Sequence, residues 1–132
     1  MPFISIKAAG RALGADEVRA LQQDTTGLMA EVMGKQAEVT AVLVEEAAPA
    51  NWSIGGQSLS DSGRIAAHVD IKITQGTNTI AQKTRMLAET RRMLERVLPD
   101  LSPVSYVVID EIPATDWGYG GFSQDARKSG AA

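Results

Sequence analysis

The chain has 132 residues, no cysteine and a single histidine, His68. The first absence excludes disulfides, thiolate chemistry and cysteine metal sites. The second excludes a histidine-based metal cluster. Aromatic residues make up only 5% of the chain, two each of Trp, Tyr and Phe. Long basic runs are missing and the formal net charge is -3, which argues against nucleic acid or an anionic membrane surface as the main partner. No apolar stretch approaches the ~18 residues of a membrane-spanning helix. The start lacks the basic segment and apolar run of a secretion signal, so a cytoplasmic protein is expected. With 44% hydrophobic and 22% charged residues, the chain suits one soluble domain, 1–132, with a modest core.

What is present is written twice. Residues 2–8, PFISIKA, alternate in strand fashion, with Ile4, Ile6 and Ala8 on one face. Apolar residues at Val18, Leu21, Leu28, Met29, Val32 and Met33 predict a helix over 15–33, stopped by Gly34. TAVLVEE, 40–46, reads as the next strand. The same order returns with the strand AHVDIKIT, 67–74, and a helix over 80–98 opened by Thr79 and Gln82 as a capping box. In that helix Ile80, Leu87, Leu94, Val97 and Leu98 mark the expected buried stripe, and Pro99 closes it. SYVVIDE, 105–111, is the last strand.

An offset of 65 residues superposes Ile6–Lys7 on Ile71–Lys72, Glu46 on Glu111, and WSIGG (52–56) on WGYGG (117–121). The turn after each first strand differs by one residue, so that Gly10 matches Gly76 and Arg11 matches Thr77. The chain is therefore a β-α-β duplication, with units at 2–56 and 67–122, a joint at 57–66, and a tail expected to be mobile from 123. Right-handed crossovers put parallel strands within each unit. The fold class is α/β in its units and α+β as a whole: a four-stranded mixed sheet with two helices on one face. The glycine pairs supply positive φ for tight turns. They are not phosphate loops, since neither precedes a lysine and a helix. The sequence alone leaves monomer and oligomer both open.

The opening MPFISIKAAGR, together with the two aromatic-x-x-Gly-Gly endings, resembles the tautomerase superfamily, specifically its 4-oxalocrotonate tautomerase-like group in a fused, two-unit form. The resemblance implies a tautomerase/MIF-like fold, assembly as a homotrimer and no cofactor. It also implies a small carboxylate substrate and an amino-terminal proline as acid/base catalyst. Carried onto this chain, Pro2 is the base and Arg11 the carboxylate-binding arginine. Trp117, Trp52, Ile54 and Tyr119 are candidate walls, and which tryptophan serves Pro2 depends on how the subunits meet. A second arginine of the family falls on Ala41 and Tyr106 and is absent here; Tyr106 is a candidate hydrogen-bond donor in its place. That absence favours a monocarboxylate enol such as phenylenolpyruvate.

Pro2 is a base only if Met1 is removed, because otherwise its nitrogen is a tertiary amide. Once free, it is a secondary amine whose α-amino reference pKa, roughly 7.7–8.0, falls on desolvation. An amine poised near neutrality can accept the proton of an enol hydroxyl and return one to carbon. The matching position in the second unit, Ala67, lies mid-chain as an ordinary amide, so each chain can hold one such base. The expected activity is cofactor-independent keto–enol tautomerisation of a 2-hydroxy-dienoate or enolpyruvate-type acid. The alternatives are a dehalogenase/hydratase or decarboxylase of a 3-carbon acid, and a non-catalytic oligomeric binding protein of the same fold.

Overall fold

In a computed structural model of the chain, residues 1–130 are described. The first unit runs β1 (Phe3–Ala9), α1 (Ala15–Met33) and β2 (Ala41–Ala47), then a hairpin of β3 (Ser53–Ile54) and β4 (Gln57–Ser58), and one helical turn, α2 (Leu59–Ser62). The second repeats it as β5 (Ala66–Thr74), α3 (Ile80–Val97), β6 (Tyr106–Ile112), β7 (Gly118–Tyr119), β8 (Phe122–Ser123) and α4 (Gln124–Lys128). The segment read as a joint thus contains β4 and α2. The segment read as a mobile tail forms α4, capped by the Ser123 hydroxyl, which accepts from the Ala126 amide at 3.0 Å. Residues 131–132 of that tail lie outside the described residues.

The four long strands form one sheet in the order β2-β1-β5-β6. Pairing is parallel within each unit and antiparallel at the join between β1 and β5. Ser5 pairs with Asp70, its own equivalent under the 65-residue offset, and the pairs on either side are interchanged by the same shift. The pseudo-two-fold axis therefore passes through the Ser5–Asp70 pair. Alternation places Ile4, Ile6, Val69, Ile71 and Ile73 against the helices, all fully buried.

Both helices lie on that face and pack against each other. Thr79 and Gln82 close the expected capping box on α3: the Thr79 hydroxyl accepts from the Gln82 backbone amide at 3.1 Å, and the Gln82 side-chain Oε1 accepts from the Thr79 backbone amide at 2.9 Å. The expected stripe on α3 needs correction. Ile80 is 79% exposed and Leu87 40% exposed, whereas Met86, Thr90, Met93 and Leu94 are buried. These four follow the i, i+4, i+7, i+8 spacing of one helix face, a stripe hidden in the sequence because a threonine sits in its middle. Thr25 holds the same place on α1, and neither Thr25 nor Thr90 finds a partner for its buried Oγ1. The opposite sheet face carries no helix and exposes Phe3, Leu43, Tyr106 and Val108.

Each glycine pair has positive φ at both residues, +62° and +79° at Gly55–Gly56 and +64° and +83° at Gly120–Gly121. Two consecutive positive φ values are the signature of a two-residue type I′ hairpin turn, which explains why both units end in Gly-Gly.

An unpartnered buried hydroxyl costs about 1–3 kcal/mol, so Thr25→Val and Thr90→Val should each stabilise the protein, by about 1 kcal/mol. Thermal unfolding should show a rise of a few degrees for each; a fall in Tm would mean that the hydroxyl has a partner in solution.

Candidate active site

The topology decides what surrounds Pro2. Because β2 runs parallel to β1, it finishes beside the end of β1, and antiparallel β5 begins there. Each unit's hairpin therefore lands at the start of the other unit's first strand. Trp52 and Ile54 pack with Ala9, Leu59 and Ala66 at the start of β5. Trp117 and Tyr119 reach the start of β1, where they line a cavity of about 650 Å³ together with Met1, Pro2 and Phe3. Pro2 itself is buried, and its carbonyl accepts from the Ala41 amide at 3.2 Å. As the residue that opens β1, it gives up no ladder hydrogen bond by lacking an N–H.

The seven candidate residues consequently fall into two groups within one protomer. Pro2, Trp117 and Tyr119 share the cavity. Arg11, Trp52, Ile54 and Tyr106 do not line it: Arg11 follows the end of β1, and Tyr106 pairs with His68, which in turn faces Lys7. At ~3.3 Å per residue, β1 alone holds the two ends of the sheet roughly 20 Å apart. Within one protomer, Arg11 therefore does not reach the cavity that holds Pro2. Its guanidinium instead makes a forked pair with Glu17, at 2.7 and 2.6 Å. That pair, with a second hydrogen bond from the Gly14 amide, holds the Glu17 carboxyl down to about 2.

The Trp117 indole N–H donates to the Thr74 hydroxyl at 3.2 Å, which fixes the ring at the end of β5. Gly118 beside it is obligatory, since a Cβ there would lie 1.8 Å from the Phe122 carbonyl oxygen. The equivalent residue in the first hairpin is Ser53, so the two hairpins differ in shape where the second one lines the cavity. Arg127 of α4 lies 3.7 Å over the Tyr119 ring and donates to the Tyr119 carbonyl at 2.7 Å, which stiffens that wall.

Two charged side chains, Glu38 and Lys72, also line the cavity. Lys72 is bound to Asp70 at 3.1 Å and Asp110 at 3.2 Å, and these bonds raise its pKa, Asp70 contributing most. Its charge is already spent on two carboxylates.

Lys35 is the residue that sequence reasoning missed. It follows Gly34, whose φ of +69° ends α1 in a left-handed cap, and its own amide bonds back to the Met29 carbonyl at 3.0 Å. Since α1 runs back along β1, this cap returns the chain to the start of the strand. Burial and the neighbouring Lys35 ammonium hold the amine of Met1 below its ordinary value. The 65-residue offset matches Lys35 with Asp100, and that reversal of sign between equivalent helix ends was the available clue.

Comparison with known proteins agrees with this architecture. The family described as Tautomerase enzyme matches residues 2–62. The probable tautomerase K2 of Dickeya dadantii (strain 3937) is 31% identical over 67 residues, which are 51% of this chain and 100% of that relative. The chain belongs to the tautomerase family, in the fused form. Among solved structures, a native fused 4-OT superposes with a TM-score of 0.85 at 23% identity, covering 94% of this chain and 97% of that one. Another fused 4-OT, described as an asymmetric trimer, has a TM-score of 0.78 at 25% identity over 93% of this chain and 98% of its own. A macrophage migration inhibitory factor homologue from Prochlorococcus marinus shares the fold, with a TM-score of 0.75 at 20% identity over 92% and 97%.

Arg11→Ala removes the forked partner of Glu17. The same change should return the Glu17 carboxyl toward its ordinary value of about 4.3, as read by NMR titration. Because the folded value is depressed, the pair's contribution is present above that ordinary value and fades as pH falls toward about 2.

Proposed function

We propose that the protein is a cofactor-independent tautomerase of small enolpyruvate-type or 2-hydroxy-dienoate acids, with the Pro2 amine as general base and acid once Met1 is removed. The observation that carries this reading is the placement of buried Pro2 in the wall of a largely apolar cavity that Phe3, Val39, Trp117 and Tyr119 help to line, with Glu38 and Lys72 at its edge. Family membership supports the reaction type.

In the proposed reaction the neutral Pro2 amine takes the enol hydroxyl proton, the C–O bond gains double-bond character, and the displaced electron pair moves to the distal carbon. That carbon then accepts the proton from the Pro2 ammonium, so the amine ends as it began. The apolar walls keep water from competing for the proton. The amine must be neutral to start. Burial of a secondary amine favours its neutral form, and the Met1 amine next to it is already held below its ordinary value by burial and by Lys35.

The same relatives support a homotrimer, since fused 4-OT neighbours are described as trimers. The sheet face opposite the helices exposes Phe3, Leu43, Tyr106 and Val108 among charged side chains such as Lys7 and Asp110, apolar area that such an assembly could cover. Light scattering on the eluted protein should give three chains per particle.

The decisive experiment follows phenylenolpyruvate ketonisation by absorbance, after intact mass confirms loss of Met1. Pro2→Ala should lower kcat/KM by about 100-fold or more. A form that retains Met1 should be inactive, because its Pro2 nitrogen is an amide. The wild-type kcat/KM should rise with pH through an amine pKa below the reference of roughly 7.7–8.0. A wild-type rate no greater than buffer would sink the proposal.

A further inference from the structure

The offset of 65 residues relates cavities as well as strands. At the other end of the sheet, where β5 begins, lies a cavity of about 280 Å³. In its wall Ile54 takes the place of Tyr119, Val104 that of Val39 and Pro103 that of Glu38, so it is the counterpart of the Pro2 cavity. The charges differ. Glu38 and Lys72 line the Pro2 cavity, whereas the counterpart has Arg64 and no acidic side chain. Its volume falls below the ~300–1,000 Å³ of sites for drug-sized ligands, so it has room for a smaller molecule.

The backbone of Arg64 is fixed on three sides. Gly63, with φ of +68°, ends α2 and turns the chain toward β5. The Arg64 amide donates to the Ser62 hydroxyl at 3.2 Å. A Cβ on Gly10 would lie 2.5 Å from the Arg64 carbonyl oxygen, so the end of β1 packs directly on this segment. The Ile65 carbonyl accepts from the Ser102 amide at 2.7 Å, which brings Ser102 alongside. The guanidinium is left free. Among the described residues every other arginine holds a carboxylate or, for Arg127, the Tyr119 carbonyl.

The neutral groups in the same wall also have protons to give. Ser102 is 2% exposed, and its hydroxyl oxygen accepts from the Val104 amide at 3.2 Å. Its backbone is fully used, the carbonyl accepting from Arg91 and from the Ser105 hydroxyl. The hydroxyl proton has no acceptor among the described residues, and an unmade hydrogen bond of a buried donor is costly. The Ser62 hydroxyl is in the same state, an acceptor from Arg64 with its own proton free. Gln57 adds a side-chain amide, and Ile54, Leu59, Pro103 and Val104 make the rest of the wall apolar. A guanidinium fork beside two hydroxyl protons, with no carboxylate to compete, suits an oxyanion.

We propose that this cavity is a second, non-catalytic site that binds a short-chain carboxylic acid. The carboxylate sits on the Arg64 guanidinium and the hydroxyls of Ser62 and Ser102, and the short chain lies against Ile54, Leu59 and Val104. No amine stands there to react. The residue matching Pro2 is Ala67, whose amide donates to the Ser105 hydroxyl at 3.1 Å, so the ligand is held and not turned over. The site is separate from the tautomerase reading and does not depend on the state of Pro2.

The test is an NMR titration of the full chain labelled at Ile, Leu and Val methyls, with 3-methylbutanoate, 3-methylbutanamide and inorganic phosphate as probes. The acid should shift the Ile54, Leu59 and Val104 signals. The amide should bind about tenfold more weakly or less, since it gives the guanidinium no charge. Phosphate should also bind more weakly, because it leaves the apolar wall uncovered. Arg64→Gln should weaken the acid about tenfold or more, and Arg64→Lys should restore part of that loss, keeping the charge without the fork. Pro2→Ala should bind the acid at these methyls as the wild type does, which separates the site from the catalytic one. Silent methyls, an amide that binds as well as the acid, or undiminished affinity in Arg64→Gln would each overturn the site. Phosphate binding as tightly as 3-methylbutanoate would overturn its assignment to a carboxylic acid. A tenfold rise in KM for phenylenolpyruvate in Arg64→Gln, with the methyl shifts retained, would place the guanidinium at a Pro2 site instead and overturn the proposal. Absence of turnover in the wild type would bear on the tautomerase reading alone and leave these shifts in place.

Discussion

The antiparallel pairing of β1 with β5 is the constraint on which the rest of the molecule depends. It joins two parallel β-α-β units into one sheet, with the register centred on Ser5 and Asp70. Neither unit could bury its helix and close its central strand edge alone, because a two-stranded sheet is too small a platform for a core. Once the units are joined, Ile4, Ile6, Val69, Ile71 and Ile73 form a continuous apolar floor, and both helices lie on it.

The same pairing dictates the composition of the candidate site. A parallel unit delivers its hairpin to the far end of its own first strand, and the antiparallel join makes that point the beginning of the other unit. Pro2 therefore shares its cavity with Trp117 and Tyr119 of the second unit, and Met1 also borders a neighbouring cavity lined by Lys35 and Thr77. Arg11, Trp52 and Ile54 are sent to the other end by the same rule. Physical symmetry and chemical symmetry then part company, because a chain has a single amino terminus. The second end keeps the hairpin and the tryptophan as packing, and its arginine is absorbed by Glu17.

The charges follow this division. At the Arg11 end, the opposite charges of Arg11 and Glu17 are brought together and satisfied locally. At the Pro2 end, Lys35 donates to the neutral Thr77 hydroxyl, near the partly buried amine of Met1. Leaving a cation without a carboxylate in a partly buried place is unfavourable for folding on its own. Gly118 marks the same asymmetry in the backbone, since the close approach of the Phe122 carbonyl admits no side chain in the hairpin that walls the cavity.

Much of this was legible in the chain itself. Alternation marks the four long strands to within a residue, the 3.6-residue period marks both helices, and the offset of 65 reveals the duplication, because these depend on local geometry and on which face is apolar. The α3 stripe was misread at Ile80 and Leu87, where a buried Thr90 breaks the apolar pattern without breaking the face. That one amine at most can exist per chain also follows from the sequence, as a covalent fact. The tertiary structure alone decided which residues stand around that amine. The direction of strand pairing between the units, which no local pattern encodes, carries Trp117 to Pro2 and Arg11 away from it, and the helix cap at Gly34 returns Lys35 to the strand's beginning.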